Sequence, residues 1–279
     1  MENEWGRQTK QGVIVRIPTV EFVEKYKQLF LAKTQGIELF AYWKMKWLIE
    51  NGETFYIPEH DCYYMIRDNH LLIYYSPDNQ MHLSTQELNA LDCISLPVAM
   101  YDGIKEKLVG FSPAYGWGLR YDFNYRPKEH TSSQYEAVDF DFSDSTHYAK
   151  AAEIICGSDG WFSDNNVRKM TSYVAFCPAL WFFVRDKATQ DLIAISISAY
   201  DNEVKQADLD WIYVTPKYHG KGCGRFLIEE TIRRCKDKSE SICVSGAVEF
   251  YRKCGFIDYE QWAWAPKEGY EFKAIGIQP

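Results

Sequence analysis

At 279 residues the chain exceeds a single core of about 100–150 residues, so two domains are expected. Its 31 basic and 39 acidic residues give a net charge of −8, which argues against a nucleic-acid partner and mildly for a cationic substrate. The eight cysteines show neither CxxC spacing nor a zinc-type Cys/His cluster, the start MENEWGRQTKQG lacks the apolar stretch of a signal peptide, and no apolar run approaches the roughly 18 residues of a membrane span, so the expectation is a soluble, reduced, cytoplasmic chain with no metal and no membrane partner.

In chain order, two helical patterns come first. Thr19 is placed to cap a helix over 19–33, where Val20, Val23, Tyr26, Leu29 and Phe30 fall at helical spacing. A second helix is expected over 37–51, with apolar residues on more than one side. Strands follow at 54–57, 61–66 and 70–75, the last two joined by a hairpin turn at Asp68-Asn69. Ser84 and Glu87 form the Ser-x-x-Glu signature of a helix start. Extended segments are expected at 94–101 and 107–111. The glycines of 110–118 precede no helical pattern, so no phosphate role is assigned to them.

The polar stretch RPKEHTSSQ, 126–134, separates two aromatic-rich runs and marks the expected boundary between an α+β domain at 1–128 and a second domain at 135–279. Beyond it, strands are expected at 137–142, 181–184, 192–200, 209–214 and 241–244, with Ile193, Ile195 and Ile197 on one face of the third. Helices are expected at 145–156, from Ser163 to 170, at 225–235 and at 246–253, the first ended by Gly157 and the last by Gly255. Both halves run from helices into strands, a hint of relation between them.

Between the strand at 209–214 and the helix at 225–235 lies His219-Gly220-Lys221-Gly222-Cys223-Gly224. Strand, glycine turn and helix start is an arrangement in which backbone N–H groups and the helix dipole converge on an anion, and glycine permits positive φ and close approach of a ligand. A plain surface loop is the alternative. Two segments decide between these readings. Residues 212–225, IYVTPKYHGKGCGR, resemble the Q/R-x-x-G-x-G/A loop of the GNAT family of acyl-CoA-dependent N-acyltransferases. Residues 247–256, AVEFYRKCGF, resemble its A-x-x-L-Y-x-x-x-G-F signature, at the family's usual distance from the first. The resemblance covers about residues 135–270, roughly half the chain. It implies a mixed, mostly antiparallel sheet flanked by helices, preceded by an N-terminal α+β domain open to being a degenerate second copy.

The resemblance also implies roles. The backbone of Gly220, Lys221, Gly222, Cys223, Gly224 and Arg225 would cradle the pyrophosphate of acetyl-CoA. Ile212, Tyr213 and Val214 would offer a strand edge to its pantetheine arm, with strand 192–200 splaying away to open a slot. Tyr251 would protonate the departing thiolate, against the alternative of ordinary packing. Two positions depart from the family pattern: His219 replaces Gln or Arg, a surface histidine being the alternative to a cofactor contact, and Val244 stands where an Asn is frequent, so its bond to the pantetheine arm is either lost or replaced by Ser245. The attacking amine needs a base; Asp201, Glu203, Asp208 and Asp210 are candidates. Asp210 is favoured because it shares a strand face with Ile212 and Val214, a solvated strand end being the alternative. Direct transfer needs no nucleophile, so Cys223 is assigned none. The expected activity is acetyl transfer to a primary amine of a small molecule or peptide, with the oligomeric state open. A non-catalytic acyl-CoA sensor is the alternative. A nucleotide-phosphate binder is the weaker third reading, because Gly222 and Cys223 after Lys221 break the GK[ST] ending of a P-loop.

Overall fold

The computed structural model describes residues 7–9, 12–126, 134–157 and 161–270. They fall into two compact units, one of Met1–Gly118 with Tyr259–Phe272 and one of Leu119–Asp258. Most of the expected linker at 126–134 lies outside the described residues.

In the first unit β1 (Arg7–Thr9) and β2 (Gly12–Arg16) pair antiparallel, and α1 (Thr19–Leu31) and α2 (Tyr42–Glu50) follow. Strands β3 (Glu53–Ile57), β4 (Cys62–Arg67) and β5 (His70–Tyr75) continue the antiparallel order from β2. The β4–β5 turn has Asp68 and Asn69 at φ 48° and 59°, the double left-handed turn that matches strand twist. After α3 (Thr85–Ala90), β6 (Cys93–Pro97) pairs parallel to β5, but only at His70 and Leu71. The unit continues with α4 (Val98–Asp102) and the first part of β7 (Ala114–Tyr121), whose residues from Leu119 on belong to the second unit. Its core gathers Tyr74, Leu88, Ile94, Leu96 and Tyr101 under α3 and α4.

The second unit repeats this course. It runs β8 (Tyr135–Asp139), α5 (Ser145–Cys156), α6 (Asp164–Met170), β9 (Phe176–Asp186), β10 (Leu192–Asp201), β11 (Gln206–Val214), α7 (Cys223–Cys235), β12 (Ser241–Ser245) and α8 (Val248–Arg252). β8 to β11 pair antiparallel in order, and β12 pairs parallel to β11. Alternation along β9 divides the core. Trp181 and Phe183 face α5 and α6, while Phe182 and Val184 face α7 with its buried Cys223 and Leu227. The last strand, β13 (Phe256–Pro266), starts in the second unit, and its residues Trp262–Pro266 pair antiparallel with β6 in the first.

Several expectations are corrected. Thr19 and Ser145 are first helical residues rather than caps: Pro18 precedes α1 without a side-chain bond, and Asp144 caps α5 by accepting from Thr146 N–H. Helix α2 starts at Tyr42, not near 37. The extended run expected at 94–101 ends at Pro97, where α4 begins, and 107–111 forms no strand. A register shift between Leu192 and Ala194 moves Ile193 to the α7 side, away from Ile195 and Ile197. Strand β7 went unexpected, because Gly116 and Gly118 interrupt its alternation. The capping box expected at Ser84–Glu87 forms, and Ser163 caps α6 in a box with Asn166 that the sequence reading did not name.

Candidate functional site

The site lies where β11 and β12 part. Their parallel pairing runs from Gln206 to Asp208 against Ser241 to Cys243. Beyond that point β11 stays paired with β10 as far as Val214, opposite Ala194. Thus β12, and not β10 as expected, diverges from β11. The fork exposes the far edge of Ile212 and Val214 to a pocket of about 520 Å³.

The glycine loop closes one side. Gly220 and Gly222 have φ of 74° and 84°, a conformation that strains any residue with a Cβ, and a Cβ built on either would meet no protein atom within 4 Å. The space in front of these backbones is open. Helix α7 starts at Cys223 with no side-chain cap, and its first internal helical bond is Phe226 N–H to Gly222 O at 3.0 Å. The N–H groups of Cys223, Gly224 and Arg225 precede that bond and lie at the positive end of a 13-residue helix. Local charge agrees: from Asp210 to Glu229 the sequence holds Lys217, His219, Lys221 and Arg225 and no acidic residue between, in a chain of net charge −8.

The opposite wall is α8 and its flanks. Gly246 at φ 80° and Ala247 at φ 29° turn β12 sharply into the helix, and alanine, the smallest side chain with a Cβ, takes the strained place. Phe250, Tyr251, Lys253 and Cys254 line the pocket from this side. Tyr251 is buried, 6% exposed, and burial holds its phenol well above its ordinary range, with Cys254, Asp208 and Tyr213 adding to the effect. It is therefore a neutral proton donor at any ordinary pH.

The remaining expected residues divide. His219, Gly220, Gly222, Gly224 and Arg225 line the pocket. Yet the His219 ring turns back to Val214 O, Nε2 at 2.9 Å, and so ties the loop to the end of β11. Arg225 donates from Nη2 to Lys253 O at 3.1 Å and lies 3.9 Å from Glu229. Tyr213, Lys221, Cys223, Ser245 and Asp210 are not among the lining residues. Cys223 is fully buried under α7 and its thiol is pushed up to about 12 by burial, so it is inert. Among the carboxylates, Asp208 is buried at the fork itself, 3.8 Å from Cys243 Sγ, whereas the charge of Asp210 acts on Tyr213. Sequence reasoning did not find Phe250, Lys253 and Cys254 as pocket walls, although each lies within three residues of Tyr251. Among the described residues no cluster of three His, Cys, Asp or Glu could hold a metal, and no helix is long and apolar enough to cross a membrane.

No curated protein matches the sequence. Residues 179–258 match the family model described as an acetyltransferase (GNAT) domain. Among solved structures, the chain resembles a GCN5-related N-acetyltransferase from Sphaerobacter thermophilus, with TM-score 0.64 and 12% identity over 94% of this chain and 96% of that one. A GNAT-family acetyltransferase from Colwellia psychrerythraea aligns with TM-score 0.59 and 14% identity over 91% and 99%. A tandem GNAT protein from the clavulanic acid biosynthesis pathway aligns with TM-score 0.58 and 11% identity over 92% and 99%. The fold is thus shared with solved GNAT N-acetyltransferases along most of the chain, and residues 179–258 carry a GNAT acetyltransferase domain.

Proposed function

We propose that the protein transfers an acetyl group from acetyl-CoA to a primary amine of a small molecule or peptide. The observation that carries this reading is the fork between β11 and β12, with the uncapped glycine loop on one side and Tyr251 on the other. The residues fit such a donor. Gly220 and Gly222 to Arg225 would hold the pyrophosphate with backbone N–H groups, the Lys221 N–H being turned to Tyr218 O; the edge of β11 at Ile212 and the Val214 N–H would bind the pantetheine amides, and Lys253 and Phe250 would flank the arm. With the thioester at the fork, the amine nitrogen attacks the carbonyl carbon. The N–C bond forms, the C–S bond breaks, and Tyr251 gives its proton to the departing sulfur. The amine proton passes to a carboxylate, directly or through water. The sequence favours Asp210 for this; neither it nor Asp208 lines the pocket, and of the two it is Asp208 whose charge acts on Tyr251. We read the first unit as a degenerate copy of the same fold that has lost the donor site.

Calorimetry with coenzyme A, followed by thiol release from acetyl-CoA over a panel of primary amines, tests the proposal. Binding with turnover on at least one amine is expected. Binding without turnover would favour a sensor, and absence of binding would end the reading altogether.

A further inference from the structure

The segment just after β7 and before the linker, Asp122 to Arg126, lies outside the matched family region at 179–258, yet it is latched onto the end of α8. Asp122 N–H donates to Gly255 O at 2.9 Å, and Tyr125 Oη donates to Lys253 O at 3.2 Å. The Tyr125 ring covers Gly255: a Cβ built there would lie 2.4 Å from Cδ1 and 2.5 Å from Cγ. Gly255 also has φ 92°, so this position is closed to other residues twice over, by backbone and by the ring. The segment is itself preformed. Tyr125 N–H closes a turn onto Asp122 O, and Asn124 N–H bonds the Asp122 carboxylate at 2.8 Å. Tyr121 packs edge-on against Phe256 at 5.5 Å, and Phe256 packs edge-on against Tyr251 at the same distance. Lys253 O thus receives donors from both sides, Tyr125 from outside the pocket and Arg225 from its wall. Helix α8 has only five residues, too few to hold its own shape or place.

From this we infer that Tyr125 is a positioning residue, which fixes the C-terminal end of α8 so that Tyr251, Lys253 and Cys254 hold the wall of the coenzyme A pocket. The inference rests on the coenzyme A reading of that pocket. It implies that the working unit begins before the linker and not after it.

The test is coenzyme A affinity by calorimetry on the full chain, wild type against Tyr125→Phe and Tyr125→Ala, with thermal melts as a folding control. Tyr125→Ala is expected to weaken coenzyme A about tenfold, because α8 loses both its ring and its hydroxyl contact. Tyr125→Phe keeps the ring on Gly255 and is expected to stay within about threefold of wild type, a rescue by shape. A second measurement follows Cys254, 4% exposed behind the same latch, by mass spectrometry after iodoacetamide. Its alkylation should quicken in Tyr125→Ala and slow again on adding coenzyme A. If Tyr125→Ala binds coenzyme A as wild type does and Cys254 stays protected, the positioning role is overturned. If wild type itself does not bind coenzyme A, it is the pocket assignment that fails, whatever the Cys254 rates show.

Discussion

The two units follow one plan, and only one of them has a glycine loop. In each, a strand is followed by two helices, then three antiparallel strands, a helix, a strand parallel to the last of the three, and a five-residue helix. In each, the parallel pair touches only at its start, at His70–Leu71 and at Gln206–Asp208. Even the short helices agree, Val98-Ala-Met-Tyr101 in α4 and Val248-Glu-Phe-Tyr251 in α8. The connection from the last of the three strands to the next helix differs. In the first unit it is SPDNQMHLS, 76–84, without a glycine. It folds back onto β5, with Tyr74 Oη donating to Gln80 O and accepting from His82 N–H. Its helix α3 starts in a capping box, which takes up the N–H groups of Ser84 and Glu87. In the second unit the connection arches over Gly220 and Gly222 into an uncapped thirteen-residue helix. The same topology thus ends in a side-chain-capped helix behind a folded-back connection in one unit, and in an uncapped helix behind an open glycine loop in the other.

The strongest way to break this comparison is to close the open loop. Gly222→Val puts a β-branched residue at φ 84°, a strain of about 1–2 kcal/mol, and fills the space that no protein atom occupies. Coenzyme A affinity should fall by roughly a hundredfold or more. The counterpart Asn79→Val, at φ 55°, should lower the melting temperature and leave coenzyme A affinity within about twofold. Calorimetry on the two variants decides it, and equal losses would mean the loops do not differ in function.

The matched tyrosines sharpen the comparison next. Tyr251→Phe removes the proton donor and should cut turnover about a hundredfold with little change in coenzyme A affinity. Tyr101 is packed in the core of the first unit, 2% exposed, and Tyr101→Phe should leave turnover unaltered. Because burial raises the Tyr251 phenol, the proton stays in place as pH rises, so kcat should show no alkaline loss below about pH 10. An alkaline limb near pH 8 that vanishes in Tyr251→Phe would contradict this.

The sequence carried the parts of this contrast that are local. Glycines at positive φ, the Asp68-Asn69 turn, the Ser84–Glu87 capping box and the Tyr251 helix all announce themselves within a few residues. Partnership between distant strands does not. Alternation along β11 is equally compatible with a gap beside β10 or beside β12, and only the register shows that β12 leaves. Side-chain aim was equally hidden. The sequence offered only a backbone contact for Arg225 and a surface histidine as the alternative for His219, and tertiary contacts turn one side chain to Lys253 O and the other to Val214 O. The Tyr125 latch was out of reach for the same reason, since its partners lie 128 residues on.

The smallest expected effect concerns the first paired residue of each parallel pair, His70 opposite Cys93 and Gln206 opposite Ser241. Both are buried, but only His70 titrates. Its Nε2 lies 2.8 Å from Ser95 Oγ, and burial pushes its pKa down to about 4. In the unfolded chain the group returns to about 6.5, so between these values the unfolded state binds the extra proton. The stabilising contribution of a neutral His70 is therefore whole above about pH 6.5 and is lost as pH falls toward 4. Between pH 7 and pH 5 the loss should come to about 2 kcal/mol. His70→Gln, which installs the second unit's residue at the same place, should remove that part of the acid sensitivity. Urea midpoints at the two pH values, compared between wild type and H70Q, measure it. The same drop in both proteins would show that the acid sensitivity of the first unit comes from its carboxylates and not from the one position where its fork differs in charge.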